Sequence, residues 1–201
     1  MTKRVTKRDQ ESAAKKTMIF EKAFDLFTRY GYENTTISDI CRETGMSVGS
    51  IYHFYEGKEG ILLQVFLNMG SVRDLEEDTE AKAAYPTEHI LRFFLHYAVN
   101  WEKIGFDLCS QMYRIFDKAF LNPDGTIRPT ESFLSLARFI RIAQEKGTVD
   151  NTLSPEDTAA YLFTVGRGFL YEWCLRGGRF SLMDYSAQHL PLVLRSLEPR
   201  R

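Results

Sequence analysis

The chain has 201 residues, 44% of them apolar and 26% charged, with a net charge of −1. A chain of this length buries roughly 70% of its unfolded surface, enough for one large domain or two small ones with an ordinary core. No run of about 18 apolar residues marks a membrane span, and the basic start "MTKRVTKRDQES" lacks the apolar segment of a secretory leader.

Charge is unevenly placed. Residues 1–16 hold six basic side chains (Lys3, Arg4, Lys7, Arg8, Lys15, Lys16) against Asp9 and Glu11, whereas 74–88 hold six acidic ones against Lys82. The basic end suits a polyanion and the acidic stretch does not, although a solvated, disordered arm would have the same composition.

In chain order, almost every long segment has helical periodicity, and no alternating strand pattern competes. The first helix is expected from about residue 13 to Tyr30, with Ile19, Ala23, Leu26, Phe27 and Tyr30 on one face and Gly31 as its stop. Thr36, with Asp39 three residues on, is a capping pair for a short second helix that ends near Thr44 and is broken by Gly45. Ser47 caps a third helix of two turns, closed by Gly57. A fourth begins at Lys58 and carries Ile61, Leu62, Val65, Phe66, Met69, Val72 and Leu75 at helical spacing. Thr87 is expected to cap a fifth that reaches Ile104, and Gly105 divides it from a sixth, Phe106 to about Phe120. "LNPDGTIRPT" is a loop. A seventh helix spans Glu131–Lys146 and is stopped by Gly147. "SPED" then starts an eighth with a cap, a proline at the first position and acids in the first turn. That helix continues to Gly177, and a ninth covers Ser181–Leu197. Pro191 is expected to kink the ninth or end its first half, since an interior proline costs about 3 kcal/mol.

Two short helices joined at a glycine are a helix-turn-helix, whose second helix enters the major groove of DNA. Ser47, Val48, Gly49 and Ser50 are all small, so the backbone of the third helix can approach base edges closely. Gly49 costs about 1 kcal/mol relative to alanine inside a helix, a poor choice unless closeness matters. Tyr52 and His53 can reach phosphates or a thymine methyl. Lys58 opposes the macrodipole at its helix start, which a DNA phosphate would reconcile. The basic arm can add minor-groove or backbone contacts. Each feature also has a plainer reading: Tyr52 and Phe54 can pack the third helix on the first, with Phe54 or Tyr55 the expected core residue, and Lys58 can be solvated.

"TTISDICRETGMSVGSIYHFYEGKEGILL" resembles the DNA-binding signature of the tetracycline-repressor (TetR) family of bacterial regulators. The residues that carry the likeness are Thr35, Thr36, Ile40, Gly45, Met46, Ser47, Gly49, Tyr52, His53, Phe54, Lys58 and Glu59. Cys41 stands where the family commonly has Ala, and Tyr55 where Phe is more usual. The likeness covers about residues 13–73, with the helix-turn-helix at 36–55; the remainder, 74–201, resembles the family only in helix count and order. It implies an all-α protein of about nine helices: a three-helix N-terminal DNA-binding domain and a larger helical domain for ligand binding and dimerisation. It further implies a homodimer on a palindromic operator, released by a small-molecule effector. The expected DNA contacts are Thr36, Ser47, Val48, Gly49, Ser50, Tyr52, His53, Tyr55 and Lys58.

The eighth helix is apolar nearly all round, so it needs neighbours on several sides. Leu162, Gly166, Phe169, Leu170 and Trp173 form one stripe. With Leu190, Val193, Leu194 and Leu197 of the ninth helix, they are the dimer face that the family's paired eighth and ninth helices imply; a central core helix is the other reading. Gly166 and Gly168 would allow close approach. Residues 87–120 hold eight aromatics in 34 positions, in the region where the family keeps its pocket. Tyr97, Trp101, Gln111, Met112, Tyr113 and Phe139, with Arg167 as charge partner, are the candidate lining of a site for a flat or apolar effector; for any one of them ordinary core packing is the plainer role.

The three cysteines, Cys41, Cys109 and Cys174, are odd in number and far apart in sequence, which fits reduced thiols in a cytoplasm. Cys109 is expected to be buried and inert, a reactive thiol needing electropositive surroundings. His89 and His96 stand about 10 Å apart along one helix, too far for one metal, so neither metal nor cofactor is expected. No phosphate loop, nucleophile motif or paired catalytic carboxylates point to an enzyme. The competing readings are a helical ligand carrier, which leaves Ser47 to Lys58 unexplained, and a DNA-bridging adaptor without promoter control.

Overall fold

Local capping chemistry sets the N-terminal helices. The computed structural model describes residues 6–68, 84–115, 122, 124 and 129–199, the side chains of 66–68 excepted. Helix α1 spans Lys7–Tyr30. It begins about six residues earlier than expected, because Thr6 and Asp9 form a reciprocal capping box. The basic residues Lys7, Arg8, Lys15 and Lys16 therefore lie on exposed helix and not on a disordered arm; Lys3 and Arg4 lie outside the described residues. Tyr30, expected on the buried face, is exposed.

A second capping box, Thr36 with Asp39, starts α2 (Ile37–Thr44), and Gly45 ends it in the left-handed conformation at φ 67°. Ser47 then accepts the Ser50 amide to open α3 (Val48–Phe54). Only Gly45, Met46 and Ser47 separate the two helices. Helix α4 (Gly57–Asn68) follows. Met69, Val72 and Leu75, like the acidic stretch from 74 and the expected boundary near 73, lie outside the described residues.

Pro86 at the first position opens α5 (Pro86–Ile104), with Tyr85 in the capping place and no side-chain cap. Thr87 is thus not the cap. Helix α6 (Phe106–Tyr113) ends sooner than expected, in tight bonds from Arg114 to Gln111 and from Ile115 to Met112; Phe116 and Phe120 lie outside the described residues. Thr130 caps α7 (Glu131–Glu145), Ser154 with Pro155 starts α8 (Pro155–Leu175), and Ser181 caps α9 (Leu182–Leu194). Pro191 does not end α9. It sits in the last turn, and Arg195 bonds back to its carbonyl before a 3-10 turn, Arg195–Leu197. Among the described residues there are nine α-helices and no strand, and none of these helices is long and apolar enough to cross a membrane.

Helix α9 lies along α5 and α8 lies along α7. One apolar cluster joins Ile19, Phe27, Ile40, Ile51 and Ile61 of the first four helices to Trp101, Leu108, Met112 and Trp173. A second, holding Ile90, Phe94, Leu136, Phe139, Leu162 and Leu190, lies wholly within the later helices. Helix α6 is the seam between the halves. Its Asp107 carboxylate accepts the Tyr32 amide at 3.5 Å, and its neighbour Arg114 pairs with Glu33 at 2.8 Å. The Arg114–Glu33 pair is exposed and contributes about 0–1 kcal/mol. Its value is positional, because both contacts grip the turn between α1 and α2.

Candidate nucleic-acid interface

Helix α3 buries a single residue, Ile51, which is fully enclosed in the cluster that also holds Ile19, Ile40 and Ile61, with α2 beside it. One such anchor stabilises the helix by about 1.5–3 kcal/mol and leaves the rest of a seven-residue helix facing outward. Ser47, Val48, Gly49, Tyr52 and His53 are exposed and Ser50 is half-buried. The Ser47 and Ser50 hydroxyls lie 2.9 Å apart, so the small residues of the first turn are fixed by their own cap. Among the described residues, nothing beyond its chain neighbours and its helix's own backbone lies within 4 Å of where a Gly49 Cβ would stand. The fold does not need glycine there.

Tyr52 projects with 57% exposure, its ring edge passing over Gly57 at the start of α4. His53 meets Phe54 edge-on at 5.0 Å, and Phe54 packs on the core. Thr36 is exposed, and its hydroxyl is engaged in the capping box at 2.6 Å from Asp39. Those Thr36 bonds, with Arg42 alongside, hold the Asp39 carboxyl below the usual carboxylate range.

Two expected contacts are corrected. Tyr55 is buried, and its hydroxyl donates to the Lys16 carbonyl at 3.0 Å, tying the end of α3 to α1; burial raises its pKa. Phe54 and Tyr55 both pack inward. Lys58 is half-buried: its ammonium donates to the Tyr32 carbonyl at 2.7 Å and lies 4.4 Å over that ring. That swing away from the start of α4 relieves the macrodipole conflict without any anion. The same crowding and nearby Glu59 and Glu33 push the Tyr32 hydroxyl up to about 12. Arg42, which the sequence reading passed over, is a highly exposed cation on α2, paired with Asp39 at 2.5 Å.

The expected dimer stripe faces inward. Leu162, Leu170, Trp173, Leu190, Leu194 and Leu197 are buried within the protomer, and Phe169 and Val193 are half-buried against the same clusters. A Cβ on Gly166 would stand 3.0 Å from the Phe94 ring, so this glycine serves the chain's own packing of α8 on α5. The outward stripe of α8 is Asp157, Tyr161, Thr164, Gly168, Tyr171 and Leu175, spaced alternately by four and three. Tyr161, Tyr171 and Leu175 are exposed at 42%, 53% and 67%, and Leu192 of α9 at 61%. The apolar residues on every side of α8 hid this spacing from sequence reasoning.

The expected effector lining also divides. Tyr97 and Trp101 line a cavity of about 10 Å³ together with Phe94, Ala98, Gly166, Phe169, Leu170, Leu182, Ser186 and Leu190. That is room for about one water. Phe139 is in the second cluster beside His89, Met112 is core, and Gln111 borders the crevice between α6 and the N-terminal helices. Tyr113 donates to the Arg167 carbonyl at 3.0 Å, and Arg167 donates to Thr164. Burial lowers the Arg167 pKa, and burial pushes the Tyr97 hydroxyl up to about 12.

Residues 19–65 match the family model described as "Bacterial regulatory proteins, tetR family". The regulator UidR of Escherichia coli K12 is 21% identical over 166 residues, covering 80% of this chain and 82% of UidR. Among solved structures, Thermus thermophilus FadR, a TetR-family transcriptional repressor in complex with lauroyl-CoA, superposes with a TM-score of 0.66. It is 22% identical, with 92% of this chain and 96% of that one covered. Bacillus subtilis FadR in complex with stearoyl-CoA gives 0.58 at 17% identity, covering 90% and 99%.

Proposed function

The chain belongs to the tetR family of bacterial regulatory proteins, and from that premise we propose that α3 is the helix with which it reads an operator. It is a DNA-binding transcriptional regulator. The observation that carries the assignment of α3 is Gly49: a glycine that costs the helix about 1 kcal/mol and that no neighbour among the described residues requires. A base edge or phosphate approaching the first turn supplies the missing reason. Ser47, Val48 and Ser50 form the close surface, and Tyr52 and His53 reach outward to bases and phosphates. Thr36 and Arg42 flank them on α2, and the exposed cations of α1 add to the attraction for the backbone.

In this reading the DNA-binding unit is α1 to α4, the later helices bind effector and partner, and the protein acts in the cytoplasm on nucleoid DNA. Two copies join through the outward stripe of α8 with Leu192 of α9. Its four-three spacing is that of a packed helical seam, and Gly168 is open to a close neighbour. The dimer sets its two reading helices about 34–36 Å apart on a palindrome. An apolar or aromatic effector enters between α5, α8 and α9 by widening the cavity beside Tyr97 and Trp101; the acyl-CoA complexes of the two FadR proteins make acyl chains the first class to try. An effector that binds only the wrongly spaced state weakens DNA binding by linkage, which makes the protein a repressor released by its ligand.

The test is fluorescence anisotropy with duplex from upstream of its gene, across a salt series and against an unrelated duplex. Expected is affinity that falls linearly with log salt, survives the competitor, and is lost on adding the effector. Equal affinity for both duplexes would overturn operator reading and favour a bridging adaptor; no DNA affinity at all would favour a ligand carrier.

A further inference from the structure

Helices α6 and α8 run antiparallel, and their contacts fix the register. At one end Phe106 packs on Gly178, just beyond α8, where an added Cβ would stand 3.0 Å from the Phe106 side chain. At the other, Tyr113 meets Tyr171 edge-on with centroids 5.3 Å apart. Between these pairs the same register sets Cys109 opposite Cys174. Both side chains belong to the apolar cluster that joins α6 and α8, where the Cys109 thiol donates to the Trp101 carbonyl at 3.6 Å and Cys174 packs against the cluster. Both cysteines are free; Cys109 is fully buried and Cys174 only partly so. Packed helices with axes about 8–10 Å apart bring facing Cα atoms into the range of about 4.4–6.8 Å that a disulfide spans.

We propose that Cys109 and Cys174 are an oxidation site, at which a hydroperoxide converts the dithiol to an internal disulfide stapling α6 to α8. The division of labour follows from surroundings. Cys174 has the solvent access, and the neighbouring Cys109 and Ser110 side chains hold its thiol below the ordinary range, favouring the nucleophilic thiolate. Cys109, its thiol donating to the Trp101 carbonyl and its sulfur buried, is pushed up by the neighbouring Cys174 side chain and by burial, and waits as the resolving thiol. In the first step the Cys174 sulfur bonds to one peroxide oxygen, the O–O bond breaks, and the alkoxide leaves with the thiol proton as an alcohol. In the second the Cys109 sulfur attacks the sulfenic sulfur, the S–S bond forms, and hydroxide leaves with the Cys109 proton as water. Two thiols and one hydroperoxide give one disulfide, one alcohol and one water.

The staple has a route to DNA, and this consequence rests on the operator-reading function proposed above. Asp107, two residues from Cys109, and Arg114 hold the α1–α2 turn, while α8 carries the outward stripe. A covalent link between α6 and α8 fixes the reading helices relative to the dimer face.

The experiment treats the reduced full-length protein with tert-butyl hydroperoxide, then alkylates free thiols under denaturing conditions and maps peptides by mass spectrometry. Expected is a Cys109–Cys174 cross-linked peptide with Cys41 still alkylated, reversed by dithiothreitol. Cys109→Ser should stop at a sulfenic acid on Cys174 that dimedone traps, and Cys174→Ser, the safer variant because that residue is partly exposed, should give neither product. Alkylation of Cys174 unchanged by oxidant, or a disulfide through Cys41, would overturn the site. Operator anisotropy is read on the same samples, with a change of roughly tenfold or more expected on oxidation of the wild type and none in Cys174→Ser. A disulfide that forms without moving the affinity overturns the regulatory consequence alone, whereas a reduced protein that binds no DNA strikes the operator-reading function instead.

Discussion

Helices α3 and α8 both carry a glycine that their own protomer does not need, yet they are built in opposite ways. Helix α3 buries Ile51 and presents nearly everything else, so its outward chemistry can be read off residue by residue. Helix α8 is enclosed by α5, α6, α7 and α9 and presents only one stripe, in which Gly168 is open while Gly166, two residues away, is pressed on Phe94. A glycine in a helix thus has two meanings. It marks either a neighbour already in the chain or one still to come, and only the position of the missing Cβ separates them.

The sharpest way to break this comparison is to place glutamate at each α8 glycine. Gly166→Glu drives a charge into the α5–α8 contact and should cost about 3–5 kcal/mol, seen as a large fall in melting temperature. Gly168→Glu should leave the protomer folded by circular dichroism and sediment as a monomer; a dimer that persists would move the interface off this stripe. On α3, Tyr52→Ala should weaken operator binding by about 1–3 kcal/mol with melting unchanged, and an unaltered anisotropy curve would remove Tyr52 from the contacts. Gly49→Ala should separate the two demands on one residue. Stability should rise by up to about 1 kcal/mol from helix propensity while operator affinity falls, and a gain in both would mean that no ligand approaches that turn. The smallest effect is expected from Tyr55→Phe, which loses the bond to the Lys16 carbonyl and about 1 kcal/mol of stability in urea unfolding. Its salt dependence of DNA binding should match the wild type, since the hydroxyl faces α1.

The sequence by itself determined most helix starts and stops and the helix-turn-helix. Thr36 with Asp39, Gly45, Ser47 and Pro155 act within a few residues of themselves, so their caps and stops were legible without any tertiary contact. The early start of α1 follows the same local rule through Thr6 and Asp9, and was missed only because the apolar face begins later. What tertiary structure alone decided is sidedness. Tyr55, Lys58, the α8 stripe and the cavity lining each turned on which distant side chain had already claimed the space: Lys16, Tyr32, Phe94 and the helices around Trp101. The Cys109–Cys174 pair is the extreme case, two thiols 65 positions apart in sequence whose meeting depends on the register of two antiparallel helices. Backbone capping is a short-range force and leaves its mark in neighbouring letters. Packing is set by contacts between segments far apart in the chain, and no single segment carries the identity of its partner.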